Sequence, residues 1–379
     1  MYALTHCTLY TGDREWSDRA LVIEGSQILD LVAVSELQPH IEAIDLGGNS
    51  VAPGFIDMQL NGCGGVMFND AITAETLDVM HQTNLKSGTT SFLPTLITSP
   101  DEDILTALAV VKTYRNSNPY SVLGLHLEGP YLNPNRKGIH NEAYIRQPDW
   151  DILAKIAAAG PDGVKLVTLA PERVQPEAIQ LLTEQGIIVS AGHTDATYEE
   201  AIASFDAGVS MATHLFNAMS PWQGRKPGMV AAVFDRREIY AGIIADGQHV
   251  HDASIRLAYQ LKREKLILVT DATPPVGTQM TAFKIGGQQV FYKDGKCVSA
   301  DGTLGGSALT MIEAVAHCVR AVKIPLSEAL RMASTYPAML MNLDQSLGRI
   351  APGFLANLAI FDRDFQIMGM VDQGIYIPR

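Results

Sequence analysis

The chain has 379 residues, 47% of them hydrophobic, and a formal net charge of −13. This length suffices for one large domain plus an accessory one, and the acidity makes nucleic acid and anionic membranes poor partners. An anionic small molecule stays acceptable if a local cationic pocket receives it. No basic head with an apolar stretch and cleavage site opens the chain, and no apolar run is long enough to span a bilayer. The four cysteines (Cys7, Cys63, Cys297, Cys318) form no CxxC pair, so a reduced, cytoplasmic protein is expected.

In chain order, the first fifty residues read as short strands: YALTHCTLYT, RALVIEG, QILDLVAV and AIDLGGNSVAP. From Phe55 the texture changes, and short apolar runs alternate with helix-like segments. FIDMQL precedes a helix near 73–86, and TSFLPT precedes one near 101–114. VLGLHLEG follows, then VKLVTLAPE before 176–185 and IIVSAGH before 197–207. VSMATHLF, IYAGIIADG before 252–262, and KLILVTDA complete eight candidate strands. Repeated βα units of this number predict a (β/α)₈ TIM-like barrel. FKIGGQQVFYKDGKCVS reads as one or two inserted hairpins turning at Gly286-Gly287 and Asp294-Gly295. Helical pattern returns at 307–322 and 326–336, and strands resume in LGRIAPGFLANLAIFD and the tail. The expected domains are a barrel over 53–346, with the hairpin at about 279–300, and a small β-sandwich built from 1–52 and 347–379.

Five apolar runs end on, or lead directly to, a polar residue: Glu128, His193, His214, His249 and Asp271. In a barrel the carboxyl ends of the strands converge on one mouth, where active sites form. Any one of these residues could be a structural hydrogen-bonding group. Five on five strands make a constellation. Glu128, His193 and His214 supply one carboxylate and two imidazoles, enough for a divalent metal with an open position for water. Zinc is the expected ion, with Fe²⁺, Mn²⁺ and Co²⁺ compatible with the same ligands. Asp271 could be a fourth ligand, a helix cap or a general base. The base is favoured, because three ligands already complete the site.

At these residues the chain resembles the amidohydrolase superfamily, and within it the deacetylases of N-acetylated sugar phosphates. The matching stretches include PGFIDMQLNGCGG, LHLEGPYLN, KGIHN, VSAGHTDAT, THLFNAM, GIIADGQHV, LVTDAT, GTLGGSALTMIEAV and GRIAPGFLANLAIFD, in family order from about residue 50 to 362. The resemblance implies a metal at Glu128, His193 and His214, with catalysis by Asp271 and His140. It implies substrate contacts from Ile139, His140, Asn217, Ala218, Arg225, His249 and the Leu304-Gly305-Gly306 loop. Arg225 and His249 match residues that hold the sugar phosphate, partly across a subunit interface, which implies a homodimer or homotetramer. Many amidohydrolases carry His-x-His at the end of strand one and hold a second metal there. Here the positions read Gln59-x-Asn61. Neutral amides are weak zinc ligands, so a single-metal site is expected, with Gln59 and Asn61 bonding water or substrate.

Other residues invite a chemical reading that their context does not favour. His249 and His251 form a literal His-x-His, but they follow ADGQ in the loop before a helix, which suits phosphate contact for His249 and a structural role for His251 better than a metal pair. His126, two residues before Glu128, faces the barrel interior a layer below. Cys63 reads as a packed thiol, Lys137 and Lys226 as solvated charges. Gly62, Gly64 and Gly65 lack the helix signature of a phosphate-binding loop. Two rival functions remain open at this stage. One is another amidohydrolase, acting on a cyclic amide or a different acetylated sugar; the other is a non-catalytic barrel.

Overall fold

A computed structural model of the chain describes residues 1–379. Eight parallel strands form one sheet: β1 (Phe55–Leu60), β2 (Thr89–Ile97), β3 (Leu125–Glu128), β4 (Val164–Leu169), β5 (Ile188–Ala191), β6 (Met211–Ala212), β7 (Tyr240–Ile243) and β8 (Leu266–Leu268). They are hydrogen-bonded in sequence order, as successive βα crossovers require. Strands β1 to β4 are buried on both faces, which is why they read as continuous apolar runs rather than alternations. The sheet nearly closes into a barrel. No regular ladder joins β8 to β1; instead Asp271 N donates to Gln59 O at 2.9 Å and Asn61 N to Ala272 O at 3.0 Å. The seam of the barrel therefore lies where Gln59, Asn61 and Asp271 meet.

Helices pack outside. Those expected near 73–86, 101–114, 176–185, 197–207 and 252–262 are found at Ala74–Leu85, Asp101–Arg115, Pro176–Glu184, Tyr198–Ala207 and Asp252–Lys262. The Tyr198 helix starts on a capping box, in which Thr197 and Glu200 satisfy each other's backbone N–H groups. Two further helices carry weak sequence signals. Trp150–Gly163 contains Gly160-Pro161, a pair that reads as a turn and does kink the helix. Gly228–Asp235 is buried over Gly228 to Phe234, so it has no polar face to reveal a helical period. The segment expected to be helical from 307 starts only at Met311, because Ser307 is engaged with the seam: its hydroxyl donates to Thr270 O at 2.6 Å. The 326–336 helix is two pieces, Leu326–Ala333 and Thr335–Leu340, broken at Ser334.

The inserted segment is a three-stranded antiparallel sheet, Ala282–Ile285, Gln288–Lys293 and Lys296–Ser299, turning at the two expected glycine-containing pairs. Its inner face (Phe283, Ile285, Val290, Cys297) packs on Met67, Ile97 and Ile139 above the barrel mouth. The chain ends form two more sheets. Residues 1–45 contribute four strands to one. The other pairs Ser50–Pro53 and Thr8–Tyr10 with three strands from the C-terminus, led by Leu358–Phe361. Leu4, Leu21 and Ile23 of the first sheet meet Leu9, Val51, Leu358, Ile360 and Val371 of the second in one core. This is a small sandwich made from both termini, separate from the barrel core.

Candidate active site

Glu128 closes β3; His193, His214 and Asp271 lie just beyond β5, β6 and β8. The last three sit at φ of 47°, 30° and 52°, in the left-handed region that L-residues seldom adopt. Each strand thus turns sharply as it leaves the barrel, and the turn aims its side chain into the mouth. Such backbone strain persists only where the surroundings over-determine it, and it clusters at functional sites.

Glu128 Oε1, His193 Nε2 and His214 Nε2 form a triangle with sides of 3.1, 3.0 and 3.1 Å. All three residues are buried. His193 Nδ1 lies 2.8 Å from the carbonyl of Arg136, which can only accept, so the proton is on Nδ1 and Nε2 presents a lone pair. A lone pair of His193 then faces the Glu128 carboxylate, an arrangement that needs a cation between them. Tetrahedral zinc at ~2.0–2.1 Å from its ligands sets them about 3.3 Å apart, so the donor set and its size fit a divalent metal. A looser set, Glu128, His140 and His193, also falls within 4.8 Å. The His214 triangle is the tighter one, because His140 Nε2 stands 4.0 Å from Glu128 Oε2. Burial opposes charge on Glu128, but the close approach of the His193 and His214 rings outweighs it and holds the carboxyl well below its usual range.

Asp271 stands on the other side. Burial, then the nearby Glu128 charge, pushes its carboxyl up to about 6, a value suited to exchanging protons near neutrality. Two amides hold it. Asn61 Nδ2 donates to Asp271 Oδ1 at 2.6 Å, and Gln59 Nε2 donates to the same oxygen at 3.2 Å and to Glu128 Oε1 at 3.1 Å. Both amides were expected to meet water or substrate. The structure turns their NH₂ groups to the two carboxylates, and Gln59 lies behind the cavity wall. A neutral donor bridges Glu128 and Asp271 where a His-x-His pair would bring a second cation. Gly306 lets the next loop close over Asp271: it sits at φ 66°, and a Cβ there would come within 2.8 Å of the Asp271 carbonyl.

These groups line a cavity of about 440 Å³, within the usual size for small-molecule sites. Asn61, Ile139, His140, Asn217, Ala218, His249, Leu304 and Gly306 reach its wall, along with the metal triangle and Asp271. His140 is buried; burial and the His193 ring drive its imidazole down to about 3, so it is neutral. The Thr98 N–H and hydroxyl both face its Nδ1, at 3.4 and 2.8 Å, which leaves the proton on Nε2, the nitrogen nearer Glu128. Gly305 is buried and does not line the cavity. Arg225 does not reach the cavity of its own chain; it is exposed in the loop that also carries Trp222. Ile97, Arg136, Ile244, Ile285 and Thr303 also line the wall and were not anticipated. The Arg-Lys of NPNRKG was the available signal for Arg136, and the hairpin alternation for Ile285.

Of the residues set aside, His251 caps the Asp252 helix, accepting from Ala253 N at 3.1 Å. His126 is buried beneath the site between Thr95 and Thr168, and burial pushes it down to about 4. Cys63 is buried, its thiol directed at the Met80 carbonyl. All four cysteines are free and buried.

Residues 50–375 match the family model described as "Amidohydrolase family", and residues 1–51 match the "NagA composite domain". The chain belongs to the amidohydrolase family. Among curated amidohydrolase relatives, it is 43% identical over 376 residues to the N-acetylglucosamine-6-phosphate deacetylase of Haemophilus influenzae, covering 98% of each chain. It is 38% identical over 337 residues to an N-acetylgalactosamine-6-phosphate deacetylase of a Shewanella species, covering 88% of this chain and 84% of that one. A crystal structure of N-acetylglucosamine-6-phosphate deacetylase from Pasteurella multocida superimposes with a TM-score of 0.98 at 45% identity, with both chains fully covered.

Proposed function

We propose that this amidohydrolase removes the acetyl group of N-acetylglucosamine 6-phosphate, releasing acetate and glucosamine 6-phosphate, as a step in amino-sugar catabolism and recycling. The observation that carries the reading is the Glu128–His193–His214 triangle with Asp271 beside it, in a chain 43% identical to a deacetylase of that name across nearly its whole length.

A divalent metal held by Glu128, His193 and His214, zinc in our reading, would acidify the attacking water and polarise the acetamide carbonyl. Asp271 takes the proton from that water. Gln59 and Asn61 keep the receiving carboxylate oriented while it does so. His140, neutral and protonated on Nε2, donates to the oxyanion as it develops; a donor in such a place contributes about 3–4 kcal/mol. Asp271 then returns the proton to the departing amine, which leaves poorly unless protonated. Ile97, Ile139 and Ile285 give the cavity an apolar stretch of wall.

The phosphate is bound at the far end by His249 and by Arg225 of a second subunit, which makes the active form a homodimer or homotetramer. A planar guanidinium is well matched to phosphate, and the exposed position of Arg225 suits a contact outside its own chain. No helix of the chain is long and apolar enough to cross a membrane. Together with four free, buried cysteines, this supports a cytoplasmic setting. The 38% identical galactosamine relative supports a second reading, action on the epimeric sugar phosphate. Turnover of N-acetylglucosamine 6-phosphate, its galacto epimer and unphosphorylated N-acetylglucosamine, after chelation and re-addition of single metals, tests both. Fastest turnover of the first substrate is expected. Equal turnover with and without the phosphate would reject the assignment.

A further inference from the structure

His249 does not stand alone. Its Nδ1 lies 2.7 Å from Asp246 Oδ2, and both side chains are almost wholly buried. The other oxygen, Oδ1, accepts the backbone N–H groups of Gln248 and His249, each at 2.8 Å. One carboxylate thus ties down both the loop and the ring that the loop carries. The loop has little latitude: Gly247 sits at φ 71°, and a Cβ there would come within 2.9 Å of the His317 ring. His317 is itself held by Asp252 at 2.8 Å. Burial opposes charge on Asp246, but the bond from His249 outweighs it and keeps the carboxyl low.

With Nδ1 against a carboxylate, the ring carries its proton there, and Nε2 is the nitrogen left for the cavity that His249 lines. A neutral ring in this state would offer the substrate only a lone pair. To donate from Nε2 the ring must hold both protons, and a buried carboxylate compensates that charge.

We propose that Asp246 is the positioning residue of the phosphate end: it orients His249 and keeps it doubly protonated, so that Nε2 donates to the substrate's phosphate. This rests on the reading of His249 as a phosphate contact. Asp246 itself touches no substrate.

The two oxygens make the test selective. Asp246→Asn retains Oδ1 for the loop and removes the charge facing His249. KM and kcat are measured for N-acetylglucosamine 6-phosphate and for the unphosphorylated sugar, in the wild type, Asp246→Asn, His249→Gln and the double variant. Loss of one charge-assisted bond should raise KM for the phosphorylated sugar about tenfold. For Asp246→Asn, we expect kcat to change less than about twofold for either sugar. In the His249→Gln background, Asp246→Asn should add almost nothing, since it acts through the ring. An equal penalty in both backgrounds would mean that Asp246 only builds the loop, and would overturn the proposal. If His249→Gln keeps the preference for phosphate, the site reading itself fails. If it loses that preference while Asp246→Asn does not, only the role of Asp246 fails. A second measurement needs no change at position 246. In protein labelled with ¹⁵N-histidine, the His249 signal, assigned by its loss in His249→Gln, should report both ring nitrogens protonated. A ring protonated on one nitrogen only would equally overturn the proposal.

Discussion

The two ends of the cavity are built differently. At the reacting end, Glu128, His193, His214, His140 and Asp271 come from one chain, are mostly buried, and are locked by neighbours such as the Arg136 carbonyl, Thr98, Gln59 and Asn61. At the end we assign to phosphate, the side chains of His249 and Asp246 are almost wholly buried, and Arg225, assigned to a second subunit's cavity, lies exposed on a loop. The contrast follows from the chemistry. A proton shuttle and a metal site require fixed distances and dry surroundings. A phosphate is recognised by charge and fork geometry, and a flexible, exposed guanidinium can supply both once it is covered.

If the reacting end depends on fixed geometry, its losses should dwarf those at the phosphate end. Glu128→Gln removes the charged corner of the triangle, so metal content by elemental analysis should collapse and turnover should fall by more than about a thousandfold. Asp271→Asn should keep the metal but lower kcat by roughly 10²–10⁴-fold, the span for a lost general acid–base group. Near-normal turnover in that metal-loaded variant would remove Asp271 from the mechanism. Arg225→Ala should raise KM for the phosphorylated sugar by roughly 10- to 100-fold with kcat nearly unchanged, in keeping with a lost charged bond. A fall in kcat alone would place Arg225 with the reacting end instead.

A further effect, on stability rather than turnover, concerns the seam below the reacting end. Asp57 is fully buried, and its carboxyl accepts the Thr270 and Gln59 N–H groups and the Thr270 hydroxyl. Burial pushes it up to about 7. Between about pH 4, its unfolded value, and pH 7 the folded chain therefore holds a proton that the unfolded chain has released. Its stabilising contribution is complete below that window and is lost as pH rises through it, by at most about 1.4 kcal/mol per pH unit. Asp57→Asn should flatten this part of the stability–pH curve, as read by denaturant unfolding. An unchanged slope would show that Asp57 is ionised throughout.

Much of the reacting end was legible in the sequence because strand ends are marked twice, by an apolar run and by the polar residue that terminates it. Glu128, His193, His214 and Asp271 stand out on that ground alone. The hairpin over the mouth was legible for a similar reason: two glycine-containing pairs punctuate an alternating segment. The Gly228–Asp235 helix was not, because a buried helix shows no polar face. The partners of Gln59 and Asn61 were hidden too, since an amide's residue type does not say whether it meets a ligand or a carboxylate across the barrel seam. Asp246 escaped notice because its value lies in a side-chain bond to a residue three positions away, inside a loop with no period. The exposure of Arg225 could be read only once the fold had placed its loop.

The central claim is one divalent metal at Glu128, His193 and His214, with the Gln59–Asn61 side free of a second. Anomalous X-ray scattering from crystals of the metal-loaded protein, with stoichiometry from elemental analysis, tests it most directly. A single peak within bonding distance of Glu128 Oε1, His193 Nε2 and His214 Nε2 is expected, with one ion per chain. A peak beside Gln59 and Asn61, or full turnover in protein stripped of metal, would contradict it.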